Sequence, residues 1–292
     1  MIINSYRYAG GAGYLLDTYT GAAAAYSLRQ LKTGVTSVVR VRRSSDNVEA
    51  DFTPTEITDG TLTTWTGLND GYVTKWYDQS GNGTDLAQTT ASNQFGIVVS
   101  GSLILDSTTG LPSIKVLDGN GYMLTSYDLT LSVNGWNSFT VVNTGSLDAS
   151  LPSFGWSLGN GDNPLTERCG QLGFGSTANL SVNTSMQGGN ALFNSSNNYI
   201  TTNETILSGI NFKSGAQAQY VNGTLAGSNT VTLSEYTSRP HRIVLSHLEW
   251  SLVLTTFTLV GGLYSELVVF GSDKSSERAA IETSINNYYG IY

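Results

Sequence analysis

The chain has 292 residues, 39% of them hydrophobic and only 12% charged, about half the charged content of an average soluble domain (~25%). Its 22 acidic and 14 basic residues leave a formal net charge of −8, which argues against a basic nucleic-acid-binding face and against attraction to anionic membranes. With one cysteine, Cys169, and two histidines, His241 and His247, neither an internal disulfide nor a Cys/His-rich metal site can be built.

Taken in chain order, residues 20–31 (TGAAAAYSLRQL) predict a helix. Four alanines favour it, Thr20 can cap its start and Gly34 can end it. Residues 35–43 follow, where Val39 and Val41 alternate with Arg40 and Arg42 as in a half-buried strand. Residues 44–47 (SSDN) supply a turn. From there the chain repeats one theme, short β-rich runs between Gly, Asn, Asp and Ser. The runs fall at 71–77, 95–99, 113–117, 138–143, 217–221, 242–246 and 266–270, a spacing that indicates a sandwich or barrel.

Asn222-Gly223 sits between two such runs and tolerates the positive φ angles of a type I′ hairpin. The most apolar stretch, 243–270, is interrupted by His247, Glu249 and Glu266 and reads as successive strands, not as a membrane span. Residues 273–289 predict a final helix, with Asp273 or Ser275 as cap and Ile281, Ile285 and Tyr288 as its apolar stripe. Gly290 is placed to stop it, and Glu277 and Glu282 are expected on its exposed face. No linker divides the chain. We expect one domain over 1–292, with 1–19 as an N-terminal arm and 20–292 as the β module. The first residues lack the basic start and apolar run of a secretory signal, and without one Asn-x-Ser/Thr triplets such as those at Asn179 and Asn222 carry little information.

The segment 71–85 (GYVTKWYDQSGNGTD) is the most distinctive. Val73, Trp76 and Tyr77 can supply core contacts. Residues 78–83 form a tight turn in which Asp78 and Asn82 hydrogen-bond to loop backbone. A calcium site needs several oxygen ligands from one region, and here only Asp78 and Asp85 are anionic, so a structural role is expected. The cluster Arg40, Arg42 and Arg43 could grip an anionic sugar or a partner. Pairing inside the scaffold with Asp46 or Asp78 is the expected role.

Three stretches, AAAAYSLRQLKTG (22–34), VRVRRSSDN (39–47) and GYVTKWYDQSGNG (71–83), resemble in order a module of bacteriophage virion and tail proteins, of bacterial surface proteins and of the catalytic domain of family 54 α-L-arabinofuranosidases. The closing stretch LYSELVVFGSDKSSERAAIETSINNYYGIY and the hairpin QYVNGTLAG resemble the last elements of laminin-G-like jelly rolls. Both ends of the chain are covered, and 118–215 is poorly matched. The resemblance implies a mainly β, concanavalin A-like/laminin-G-like sandwich with a short N-terminal helix and a C-terminal helix.

For the arabinofuranosidases, the resemblance would imply a vicinal Cys-Cys pair, a Glu nucleophile in a Met-Glu-Ala strand and an Asp acid in a Gly-Gly-Asp-Asn loop. This chain departs at each point. Cys169 stands alone, no Met-Glu-Ala occurs, and the late region SHLEWSLVLTTF carries only Glu249. A retaining glycosidase needs two carboxylates about 5 Å apart. The sequence does not pair Asp162, Glu167, Glu249 or Glu266. Neither a Gly-x-Ser-x-Gly elbow nor a phosphate-binding loop is present.

The expected function is therefore that of a non-enzymatic virion structural or adhesion protein that presents loops to host-surface carbohydrate. Trp65, Trp136, Trp156 and Tyr199 lie in loop-like contexts and form the candidate aromatic platform, set against their burial as core residues. Trp76, Tyr77, Asp78, Asn82, Arg42 and Asp46 form the candidate structural motif. No cofactor or metal is expected. The expected partners are other virion proteins and a host glycan, without nucleic acid or membrane, in a homo-oligomer for which a trimer is a natural form. The expected location is the virion. A diverged arabinofuranosidase-type hydrolase and a purely architectural capsid or tail protein are the alternatives.

Overall fold

The fold is given by a computed structural model that describes residues 13–118, 120–132, 134–145, 153–159, 170–174, 182–186, 191–194, 203–213, 215–230, 241–250, 253–255 and 261–292. In chain order the elements are α1 (Leu15–Thr18), β1 (Ala22–Ser27), β2 (Val39–Arg43), β3 (Glu49–Phe52), α2 (Pro54–Thr58), α3 (Thr61–Thr66), β4 (Gly71–Trp76) and β5 (Leu86–Ala87). Next come β6 (Phe95–Val99), β7 (Ser102–Leu103), β8 (Ile114–Lys115), β9 (Met123–Leu124), β10 (Trp136–Asn143), β11 (Ser153–Gly159), β12 (Gly170–Phe174), β13 (Val182–Met186) and β14 (Ala191–Asn194). The last are β15 (Thr205–Phe212), β16 (Gln217–Val221), β17 (Thr224–Asn229), β18 (Arg242–Leu245), β19 (Leu248–Trp250), β20 (Val253–Thr255), β21 (Leu263–Phe270) and α4 (Arg278–Tyr289).

The antiparallel pairings divide the strands into two faces of a β-sandwich. One sheet runs β1–β21–β10–β15–β16–β17. The other runs β3–β2–β4–β5–β9–β18–β11–β12–β13–β14. Strand β6 pairs with both β4 and β8, and β8 pairs with β21, so the two faces are joined along one side. The main core lies between them and includes Tyr26, Val41, Val73, Trp76, Phe95, Trp136, Trp156, Ile210 and Tyr264.

Strands β10, β15 and β21 are buried on both sides, because α4 covers the outer face of the first sheet. Ile281, Ile285 and Tyr289 of the helix pack on Ala25, Phe139, Val141, Leu207, Val268 and Phe270. This explains the near-continuous apolar runs there, where a one-sided sheet would alternate. The helix ends at Gly290, whose φ of 65° is the left-handed cap conformation. It begins at Arg278, later than expected, because Asp273 closes a turn by accepting the Ser275 N–H at 2.9 Å.

Several sequence expectations are corrected. The segment expected as a helix over 20–31 contains strand β1, paired along β21. Ala24 faces the inter-sheet core and Ala25 faces α4, so tertiary pairing overrides alanine's helix propensity. Glu282, expected on the exposed face of α4, is buried against β15. Helices α2 and α3 were not anticipated. The first is opened by a capping box in which Glu56 N–H donates to the Thr53 hydroxyl and Thr53 N–H to the Glu56 carboxylate. Leu15 and Leu16 of α1, within the expected arm, are buried in the cluster under α4. The hairpin expected at Asn222-Gly223 connects β16 and β17, with φ of 50° and 77° at the two turn residues.

Candidate functional site

Two polar surfaces stand out in a chain so poor in charge. The first is the exposed outer face of β3, β2 and β4. Val39, Val41 and Phe52 point into the core, so alternation turns Arg40, Arg42, Glu49 and Asp51 outward. Register aligns Asp51, Arg40 and Lys75 in one row and Glu49, Arg42 and Tyr72 in the next. Arg40 donates to both Asp51 oxygens at 2.7 and 2.9 Å. The Tyr77 hydroxyl donates to Asp51 at 2.7 Å, and Tyr72 donates to Asp70 at 3.2 Å. Lys75 pairs with Asp85 at 3.1 Å and lies 5.3 Å from the Tyr77 ring centre. Arg42 covers the Tyr72 ring at 4.8 Å and donates to Gln94 and Asn47, each at 2.8 Å.

The electrostatics follow from these contacts. The hydrogen bond from Arg40 holds Asp51 below the usual carboxylate range. Burial, with the Asp51 contact, pushes Tyr77 up to about 12. Asp51 therefore stays ionised and the Tyr77 hydroxyl protonated through neutral pH. Exposed ion pairs each contribute only about 0–1 kcal/mol to stability. What this network does is hold hydrogen-bonding groups and two tyrosine rings in fixed positions on a rigid sheet.

The second surface is the inner face of the first sheet. Register places Trp136 beside Phe212, Ser138 beside Ile210 and Gln219, and Thr140 beside Ser208 and Val221. Trp136 stacks on Phe212 with 3.7 Å between ring centres and lies 6.3 Å from Trp156, whose indole N–H donates to Thr140 at 3.0 Å. The Trp136 indole nitrogen, the hydroxyls of Ser138 and Ser208, and both amide atoms of Gln219 are buried with no hydrogen-bond partner among the described residues.

Of the four aromatic residues expected to form a sugar platform, Trp136 and Trp156 lie on strands and not loops, 1% and 0% exposed. They face each other across the inter-sheet core and offer solvent no platform. Trp65 stands apart on α3, edge-on to Phe52 at 5.3 Å and under Arg43 at 4.7 Å. Tyr199 lies outside the described residues. Two rings that reach the surface within the charged strip are Tyr72 and Tyr77. Their signal was present as alternation along 71–77, but there Tyr77 reads as a core contact. In the fold it is half-buried.

The turn after β4 serves the scaffold. Asp78 accepts the N–H groups of Ala25 (2.9 Å), Ser80 (2.9 Å) and Thr84 (3.2 Å) and the Ser80 hydroxyl (2.6 Å). Gln79 donates to the carbonyls of Ser27 and Arg29 and accepts the Leu31 N–H. Asn82 donates to the carbonyls of Ala22 and Ala23. The turn thus lies along β1, the last strand of its sheet, and occupies that strand's outer backbone groups. Asp46 pairs with Arg43 at 2.6 Å, while Arg42 takes Asn47 and Gln94. Trp76 is fully buried against Tyr26.

Among the described residues the buried carboxylates are Asp106, Glu266 and Glu282. Asp106 accepts from the Thr205 hydroxyl and from Thr108 and Thr109 N–H groups. Glu266 forms a two-pronged pair with Arg29 at 2.7 and 2.9 Å and accepts the Tyr289 hydroxyl. Glu282 pairs with Arg278. Each is engaged by a different partner. The side chain of Glu249 and residues 162, 167 and 169 lie outside what the structure describes. Also among the described residues, no group of three His, Cys, Asp or Glu side chains converges for a metal, and no helix is long and apolar enough to cross a membrane.

With this geometry in hand, the comparisons define the fold. No protein-family model and no curated protein matches the chain. Among solved structures it is similar to a family GH54 α-L-arabinofuranosidase soaked with a cyclic sulfate inhibitor, at TM-score 0.62 and 17% identity, over 94% of this chain and 64% of that one. It is similar to an arabinofuranosidase complexed with arabinofuranosyl-α-1,2-xylobiose at TM-score 0.60 and 17% identity, with the same coverage. A Trypanosoma rangeli sialidase matches at TM-score 0.51 and 10% identity, over 91% of this chain and 33% of that one. The chain thus spans less than two thirds of the arabinofuranosidases it matches, and at these identities the likeness is one of β-sandwich fold.

Proposed function

We propose that this chain is a non-enzymatic carbohydrate-recognising β-sandwich, with its recognition surface on the strip formed by β3, β2 and β4. The observation that carries this reading is the concentration of Arg40, Arg42, Glu49, Asp51, Asp70, Lys75 and Asp85 around two half-buried tyrosines in a protein with only 36 Lys, Arg, Asp and Glu residues. A sugar presents apolar C–H faces and hydroxyls together. Tyrosine edges and ring faces suit the first, and fixed carboxylates and guanidinium groups suit the second. Because the side chains are already held by one another, little rotamer freedom is lost on binding.

Placement on a virion, as an adhesion or structural component in an oligomer, rests on the sequence resemblance. Proteomics of purified particles tests it. The recognition claim is tested on a glycan array with the intact chain and with Tyr72→Ala/Tyr77→Ala. The intact chain is expected to retain particular glycans, and the double variant to lose them by tenfold or more with its melting temperature changed by only a few degrees. Equal retention by the two proteins would refute the assignment.

A second reading, a diverged glycoside hydrolase, is favoured by the arabinofuranosidase likeness over nearly the whole chain. Release of arabinose from arabinan or arabinoxylan by the purified chain would replace the first reading with this one.

A further inference from the structure

We infer that the inner face of the first sheet holds a second binding site, for one small neutral polyhydroxylated molecule such as a monosaccharide ring, between Gln219, Ser138 and Ser208. Four side chains carry the inference. Gln219 on β16, Ser138 on β10, Ser208 on β15 and the Trp136 indole all bury polar atoms that lack a partner among the described residues. Each such atom costs about 1–3 kcal/mol when left unpaired, and these belong to neighbouring positions on three adjacent strands. Ser138 and Gln219 share one row of the sheet, on either side of Ile210, and Ser208 lies in the next row beside Thr140.

The chemistry selects the ligand class. The unpaired groups comprise one amide with a donor and an acceptor, two hydroxyls able to do either, and one indole donor. That set matches the alternating donors and acceptors of vicinal hydroxyls. Trp136, stacked on Phe212, and Trp156 supply the adjoining aromatic wall. The alternate residues that point to this face, from Trp136 to Thr140, from Ser208 to Phe212 and from Gln219 to Val221, include no charged side chain, so an anionic sugar would find no counter-charge on this sheet. That is the costly arrangement.

Because Gln219 and Trp136 are each 1% exposed, entry requires the two faces to part locally. Association should be slow, below the ~10⁵ M⁻¹s⁻¹ at the low end of ordinary docking. This site does not depend on the outer strip.

The test uses the full chain with arabinose, galactose, glucose and myo-inositol as neutral probes and glucuronate and sialic acid as acidic ones. Tryptophan fluorescence and melting temperature are the readouts. At least one neutral probe is expected to shift the emission slowly and raise the melting temperature, and the acids to do neither. Gln219→Leu and Ser208→Ala should each weaken that response by roughly tenfold. The ligand-free Gln219→Leu protein should melt no lower than the parent, since an unpaired amide has been removed. Acidic probes binding as well as neutral ones, or a response unchanged in both variants, would overturn the site. So would the absence of a response to every neutral probe, and a lower melting temperature for ligand-free Gln219→Leu would show that buried water satisfies the amide. None of these results bears on the glycan array, whose outcome turns on Tyr72 and Tyr77.

Discussion

Asp78 illustrates how much one side chain can hold. Its carboxylate collects three backbone N–H groups and a hydroxyl from two separate parts of the chain. Hydrogen bonds to a charged acceptor contribute about 1.5–3 kcal/mol each before non-additivity, so Asp78→Ala should lower stability by about 2–4 kcal/mol. Asp78→Asn, which keeps one acceptor oxygen, should recover part of it. Urea denaturation of the three proteins measures this, and an alanine variant as stable as the parent would contradict the structural role.

Glu282 sets a pH dependence. Its carboxylate lies over Gly209, where an added Cβ would collide with it, and Arg278, which pairs with it, stacks on Tyr220 at 3.7 Å. Tyr292, whose ring lies against Gly223, also faces this corner. Burial raises Glu282 from 4.5 to about 7, with Arg278 working against the shift. Between those values the unfolded chain releases the proton and the folded chain keeps it. Stability is therefore full below about 4.5 and declines as pH rises toward 7, by something on the order of 3 kcal/mol at most.

His241 acts in the opposite sense. Burial lowers it from 6.5 to about 4, so its contribution is full above 6.5 and is lost as pH falls toward 4. The two trends oppose each other between about 4.5 and 6.5. In Glu282→Gln the gain from His241, joined by that of His247, which burial also lowers, should be unopposed by this carboxylate. Denaturation midpoints from pH 4.5 to 7.5 should therefore rise more steeply with pH in the variant than in the parent, and parallel curves would refute the assignment.

Among the elements, those with a period-2 pattern were legible. Val39 and Val41 against Arg40 and Arg42 gave β2, and the runs at 95–99 and 217–221 coincide with β6 and β16. The Asn222-Gly223 turn was legible because its chemistry is local. Strand β1 was not, since four alanines show no alternation and their strand conformation comes from β21, more than two hundred residues away. Helix α2 does carry a local signal, the Thr53-Pro54-Thr55-Glu56 capping box. The burial of Glu282 depends on Gly209, which no helical periodicity reveals. The final helix is needed to cover Phe139, Val141, Leu207, Val268 and Phe270. Truncation before Asp273 should therefore yield a protein that binds a hydrophobic dye and loses near-ultraviolet dichroism. A truncated chain with a native-like spectrum would mean that the sheet stands without it.

For the molecule as a whole, the sandwich was legible from turn spacing and from the resemblance of both chain ends, while the candidate sites were only partly so. Arg40 and Arg42 were visible as an outward pair, but their neighbours Asp51, Lys75 and Tyr77 join them only through strand register. The inner surface was harder still. Ser138, Ser208 and Gln219 are ordinary residues in three different strands, and nothing short of the fold places them side by side. The expectation of an exposed tryptophan platform failed at Trp136 and Trp156 because their short neighbouring runs read as loops, whereas β10 and β11 carry them inward.

The turn of Asp78, Gln79 and Asn82 along β1 has a consequence for crowding. A bare outermost strand invites a neighbouring molecule to continue its ladder. Here the carbonyls of Ala22, Ala23, Ser27 and Arg29 and the N–H groups of Ala25 and Leu31 are already taken by side chains of the same molecule. Copies of this chain can be brought shoulder to shoulder on that flank, in an array or in a concentrated solution, without zipping together there. Contact between copies at that flank is left to side chains, which evolution can tune one at a time.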